Sequence, residues 1–207
     1  EDWPRLSDVT PTSSINVLRS KLPRLFTRSG PYSSELNEIL RLAKLNHPKA
    51  DLSISVDVED GTSRVVAVTL DYANSKLQLM AFAAPKTEGI WGDIRSAVAQ
   101  NILAQGGEVE EGFGAIGAEL LAKLPLVDDQ GRAAGHRLAR FVGFDGPRWC
   151  LRGTIGGAAM TDPKAAADIN DLFRSVIVHR GDTPLPPGEA LPLSVPAGSV
   201  LPPGMKA

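Results

Sequence analysis

Hydrophobic and polar positions alternate most clearly from residue 51 onward. In DLSISVDVEDG, Leu52, Ile54, Val56 and Val58 are separated by polar residues, the pattern of a half-buried strand. Glu59-Asp60-Gly61 supplies a turn. RVVAVTLDY predicts a second strand, with Val66, Val68 and Leu70 or their neighbours inward. After the turn Ala73-Asn74-Ser75, KLQLMAFAA predicts a third. Turns this short make successive strands antiparallel neighbours, so the three form a meander that Pro85 ends. The period then changes. In GIWGDIRSAVAQNILAQGG, Ile90, Ile94, Val98 and Ile102 share one helix face, with Ala97 and Leu103 beside them. Gly106-Gly107 is the stop signal.

A similar order follows. ELLAKLPLV predicts a strand, Asp128-Asp129-Gln130-Gly131 a turn, and HRLARFVGF a second strand. Asp145-Gly146-Pro147 turns the chain into RWCLRGTIG, a third. Asp162 then caps a helix with Pro163 at its first position, and AAADINDLFRSVI buries Ala165, Ile169, Leu172, Phe173 and Val176. The order β-β-β-α therefore occurs twice, which reads as an internal pseudo-repeat. The predicted fold class is α+β: one antiparallel sheet built from two β-β-β-α units, with the helices packed on it. The other face of such a sheet is available to the chain ends or to a partner.

Both ends of the chain differ from this core, giving an arm (residues 1–34), an α+β domain (35–182) and a proline-rich tail (183–207). In the arm, SSINVLRSKLPRLFTRSG carries Ile15, Leu18, Leu22, Leu25 and Phe26 at roughly helical spacing. Arg19, Lys21, Arg24 and Arg28 lie among them without an acid. A basic amphipathic helix can pack on its own domain or dock on an acidic partner or anionic surface. Pro23 bends or stops the helix, and Gly30-Pro31 closes the segment. ELNEILRLAKLNH (35–47) fits a helix through Leu36, Ile39, Leu40 and Ala43, and a strand through Ile39, Arg41 and Ala43; the helix is preferred. In the tail, seven prolines from Pro184 to Pro203 forbid a helix and favour polyproline II or disorder. Leu191, Leu193 and Val195 alternate, as in a segment lying extended along a domain.

Composition adds limits. The 207 residues are 43% hydrophobic and 22% charged, an ordinary globular balance. A formal net charge of −2 gives no global attraction to nucleic acid or anionic lipid, so nucleic acid is a disfavoured partner. Cys150 is the single cysteine, which excludes an internal disulfide and a multi-thiolate zinc site and favours a reducing, cytoplasmic setting. No apolar run is long enough for a membrane span. The opening residues EDWPRLSDV are unlike a signal peptide, and the start at Glu1 leaves room for residues upstream.

Candidate chemistry centres on RFVGFDGPRWCLRG (140–153). With the turn at Asp145-Gly146-Pro147, Trp149, Leu151 and Ile155 face one way, while Arg148, Cys150 and Arg152 face the other. The plain reading is a hairpin whose arginine stems cover an exposed face. The functional reading has Arg140, Arg148 and Arg152, with Arg95, converging on a phosphate or carboxylate. Trp91 opens a helix and reads as a packing anchor. Glu108, Glu110 and Glu111 read as a solvated acidic loop, and GEVEEGFGAIG lacks the lysine of a phosphate loop. His47, His136 and His179 have no metal-ligand spacing, and no serine sits in a nucleophile-elbow context. No catalytic residue, metal site or cofactor is legible.

The stretches LQLMAFAAP (77–85), GIWGDIR (89–95), GFGAIGAEL (112–120), RFVGFDGPRWCLRG, VIVHRGDTPLPP (176–187) and LPLSVP (191–196) resemble an actinobacterial family, domain of unknown function 3710. The resemblance runs from about Gly61 to Pro196 and is most specific in the hairpin and in HRGDTPLPP. It implies an actinobacterial cytosolic protein and carries over no catalytic residue. The element order also looks like the Mog1/PsbP-type α-β-α sandwich, an analogy of layout. The expected function is a non-enzymatic binding or adaptor domain that contacts an unidentified protein partner or itself. The alternative is a domain or enzyme that holds an anionic metabolite or nucleotide through the arginines.

Overall fold

The computed structural model describes residues 52–58, 65–178, 180 and 184–193. The arm with Arg19, Lys21, Arg24 and Arg28, the 35–47 segment and the Glu59-Asp60-Gly61 turn lie outside the described residues.

The short loops decide the topology. β1 (Leu52–Val58), β2 (Val65–Tyr72) and β3 (Ser75–Ala83) form the predicted meander. Tyr72 pairs with Ser75, so the β2–β3 turn is only Ala73-Asn74. Both residues have positive φ, 47° and 59°, as a two-residue hairpin turn of matching twist requires. α1 (Trp91–Ala104) follows. Its end is a Schellman cap: Gly107 N–H donates to Ile102 O and Gly106 N–H to Leu103 O, with Gly106 at φ 78°.

The second half departs from the predicted repeat. Before the three expected strands comes a fourth, β4 (Glu108–Gly114), in the stretch read as an acidic loop. β5 (Gly117–Val127), β6 (Ala133–Gly146) and β7 (Trp149–Gly157) follow, then a 3-10 turn (Ala158–Met160) and α2 (Pro163–Ser175). The Asp162 carboxylate accepts the Lys164 N–H and caps α2, as the sequence predicts. The order is therefore β-β-β-α followed by β-β-β-β-α.

All seven strands form one antiparallel sheet in the order β1-β2-β3-β7-β6-β5-β4. β3 and β7 join the halves, with Leu77 opposite Ile155 and Ala83 opposite Trp149. The tail segment 188–193 enters this sheet. Leu191 N–H donates to Ala81 O, Ala83 N–H to Glu189 O, and Leu193 N–H to Val65 O. The tail thus bonds the end of β3 and the start of β2, beyond the point where their mutual pairing stops. The alternation of Leu191 and Leu193 does report an extended segment.

The two described helices cover opposite faces. Leu70, Leu77, Leu79, Leu151, Ile155 and Val142 turn to Ile169, Leu172 and Phe173 of α2. Leu120, Ala122, Phe141 and Cys150 turn to Trp91 and Ile102 of α1. Ala97 is exposed and Leu103 is 55% exposed, contrary to the predicted helix face. At 100° per residue they fall on either side of the Ile94–Val98–Ile102 row, and Trp91 supplies the missing anchor. α1 lies over β4, β5 and β6, whereas α2 lies over β3 and reaches β7 through Phe173 and β6 through Asn170. Neither described helix lies over two diagonal quarters of the sheet. No helix of the described residues is long and apolar enough to cross a membrane.

Candidate functional site

Register decides where the predicted arginines go. Gly146 pairs with Trp149, so the β6–β7 turn is the two residues Pro147-Arg148. Arg148 occupies it with φ 67° and is exposed. It is a turn residue, and the expected strand position beside Cys150 and Arg152 is incorrect. Pro147 at the first turn position leaves positive φ to the second, which Arg148 adopts in place of the usual glycine.

The same register separates the other two hairpin arginines. Directly opposed residues share a face; Arg140 is opposite Ile155, and Arg152 is opposite Gly143. Ile155 belongs to the α2-side core, whereas Gly143 lies under the Trp91 ring of α1. Arg140 and Arg152 therefore point to opposite faces, and the expected convergence on one anion does not occur.

Arg140 is enclosed, its side chain 11% exposed. Its Nη2 donates to Asn170 Oδ1 at 2.7 Å, and its Nη1 lies 3.6 Å from Glu119 Oε2. Burial pushes its pKa down, against the Glu119 charge, which raises it. This is an internal ion pair joining β5, β6 and α2. Arg95, on α1, lies 3.6 Å from Glu111 of β4. Glu108 accepts from Lys123 Nζ at 2.6 Å. The acidic residues thus belong to a strand, and two of them are paired.

Arg152 differs from these. Its Nη2 contacts Met80 Sδ at 2.6 Å, and its guanidinium carbon lies 5.5 Å from the centroid of the Phe82 ring. Its Nε is buried without a hydrogen bond. No carboxylate of the described residues forms a salt bridge with it. Cys150 is a titratable neighbour, yet that thiol is 0% exposed and burial pushes its pKa up, so it stays neutral and supplies no counter-charge. Burial also pushes the Arg152 pKa down. The result is a half-buried cation held by a thioether and an aromatic ring.

Around it lies the quarter of the α1 side that neither described helix covers. Pairing places Gln78 beside Thr154 and beside Thr69, and Met80 beside Arg152. Thr69 Oγ1 and Gln78 Nε2 both donate to Asp57 Oδ2, at 3.0 and 2.8 Å. This floor of Asp57, Thr69, Gln78, Met80, Arg152 and Thr154 is polar and half-buried. Of these, only Arg152 is legible as a site residue from sequence. The others are joined by cross-strand pairing between segments up to about a hundred residues apart. The polar phase of β1 to β3 was the signal available, though the apolar phase is what defines a strand.

Elsewhere the chemistry is structural. The Trp91 indole N–H donates to Ala118 O at 2.8 Å, and its ring lies where a side chain on Gly143 would otherwise stand. The described residues contain no group of three or more His, Cys, Asp or Glu arranged to hold a metal ion. His47 and His179 lie outside the described residues, and His136 is exposed.

Residues 32–200 match the family described as protein of unknown function DUF3710. The chain belongs to that family. The DUF3710 match spans the whole sheet, both helices and the 184–193 segment, so the tail residues that bond β3 are inside the family domain. It also begins at Tyr32, upstream of the Gly61 boundary expected from the quoted stretches. No curated protein and no solved structure matches the chain significantly.

Proposed function

We propose that this DUF3710 domain is a non-enzymatic binding module that docks a protein partner on the quarter of the α2 side that neither described helix covers. One observation carries the reading: Val127 and Leu138 are 67% and 44% exposed at the far end of the β5–β6 hairpin. Strand parity puts both on the α2 side with Pro125, where they stay exposed although α2 packs on the same face. Lys123 stands opposite Leu138 and His136 opposite Pro125, so polar groups interleave with these apolar ones, and Glu108 and Glu110 flank them on β4. An apolar patch with a polar rim is the usual form of a protein-contact surface. The ionisable groups described above also support binding over catalysis. Asp145 is committed to α1, Arg140 and Glu119 to each other, and Cys150 to the core.

The reading places the protein in an actinobacterial cytosol, which the lone reduced cysteine supports. One described helix on each face of the sheet supports reading the layout as Mog1/PsbP-like. The arm and the distal part of the tail are further contact elements in this reading.

The test compares the wild-type domain with Val127→Lys/Leu138→Glu as bait in native lysate, alongside sedimentation of both proteins alone. A protein retained by the wild type and lost by the variant, or a wild-type dimer that the variant dissolves, supports the patch. An identical set of captured proteins and an identical sedimentation profile sink it.

A further inference from the structure

We propose that Arg152 anchors an oxyanion site on the α1-side quarter of the sheet that neither described helix covers, and that this site receives the phosphate or carboxylate group of a small molecule. The argument begins with cost. A guanidinium withdrawn from water is costly unless a counter-charge and hydrogen bonds replace its hydration. Arg140, buried to a similar degree, has both in Glu119 and Asn170. Arg152 has no carboxylate and no oxygen acceptor among the described contacts: its partners are the Met80 sulfur and the Phe82 ring, and its Nε, like that of Arg140, is buried without a hydrogen bond. A buried polar group without a partner in a folded protein calls for a ligand, an ion or water.

The surroundings narrow the class. Met80 and Phe82 fix the guanidinium plane from β3, which prepares a planar donor fork before any ligand arrives. Oxyanions of phosphate and carboxylate are what such a fork recognises. Thr154 and Gln78 stand on the same face one pairing step away and offer neutral hydroxyl and amide groups. The Asp57 carboxylate, further across the floor, holds Thr69 and Gln78 and suits a hydroxyl or amine on the same ligand. A small polar molecule with one anionic end fits this floor. A nucleic-acid strand does not, because the floor has a single cation and a fixed acid.

The site and the proposed protein-contact corner lie on opposite faces, so each can fail alone. The test follows the Arg152 Nε–H resonance of the full chain by NMR, assigned through its absence in Arg152→Lys. Inorganic phosphate and succinate are titrated separately, at constant ionic strength set with chloride. A saturable shift at millimolar concentration is expected for at least one of them. Response to phosphate alone assigns a phosphoryl ligand, and response to succinate alone a carboxylate. Calorimetry should show affinity about tenfold weaker or worse in Arg152→Gln and partly kept in Arg152→Lys, the loss expected for a charged hydrogen-bonded pair. Arg148→Asn, in the exposed turn, should bind as wild type. Saturability matters because phosphate stabilises proteins generally by exclusion from their surfaces. The proposal falls if neither anion gives a saturable shift, or if Arg152→Gln binds as tightly as the wild type.

Discussion

The carboxylate of Asp145 accepts the backbone N–H of Trp91 at 3.1 Å, from a residue 54 positions away in sequence. The Ile90 N–H reaches the same carboxylate at 2.9 Å. α1 has no side-chain cap of its own, so a hairpin residue satisfies its first donors and adds the negative charge a helix start favours. Asp145→Ala should therefore cost about 1–2 kcal/mol, the range for losing an N-terminal cap. Asp145→Asn keeps an acceptor and should lose about half of that. Urea unfolding of the three proteins checks it; equal midpoints would mean that the contact carries no stability.

The meander, both helices and the hairpin were legible because each is local. Alternation reports β2, β3, β6 and β7, and Asp162-Pro163 reports the start of α2. β4 was not legible. Glu108-Val109-Glu110-Glu111-Gly112-Phe113-Gly114 gives the core only a partly buried Val109, and Phe113 is 80% exposed. Its strand state comes from backbone pairing with β5 at the sheet edge, which no periodicity encodes. The opposite placement of the helices was also hidden, because it depends on the phase in which β3 meets β7. The arginines show how finely this acts. Whether Arg140 joins Arg152 depends on turn length alone, and a turn of Pro147-Arg148 sends them apart.

Ala73 holds φ 47° in the β2–β3 turn, a conformation that an alanine side chain makes unfavourable. Glycine takes it without a Cβ penalty, at some cost in unfolded-chain entropy. Ala73→Gly should stabilise the domain by about 0.5–1 kcal/mol, the net of these terms. Thermal unfolding should show a higher midpoint for the variant. A lower midpoint would show that the turn is not left-handed at this position.

Cys150 is fully buried, and burial pushes its thiol pKa above the ordinary 9.0, with the Asp145 charge and hydrogen bond adding to the rise. The folded protein thus keeps the proton that the unfolded chain releases. Stability from this group is full below the unfolded pKa and is lost as pH rises above it. Once the unfolded thiol is ionised, the loss is about 1.4 kcal/mol per pH unit. Between pH 8 and 10.5 the wild type should lose stability more steeply than Cys150→Ala. The difference in slope is the readout, since the alanine variant starts from a lower stability. Parallel profiles would place the thiol in contact with solvent, as would rapid labelling by iodoacetamide at pH 8.

Glu119 and Arg140 have side chains only 10% and 11% exposed, and their charged atoms stand 3.6 Å apart. That separation is beyond hydrogen-bond length, and Glu119 Oε2 and Arg140 Nε are both buried without a hydrogen bond. The pair is therefore held by charge, with Asn170 as the one hydrogen-bonding partner of the guanidinium among the described contacts. Breaking a buried pair strands the remaining charge, so Glu119→Leu should cost about 3–5 kcal/mol. Replacing both residues by apolar ones removes the stranded charge together with the desolvation cost. Glu119→Leu/Arg140→Met should consequently recover most of the loss and unfold near the wild-type midpoint. A double variant as unstable as the sum of its two single variants would mean that each residue acts through its own packing, with no coupling between them.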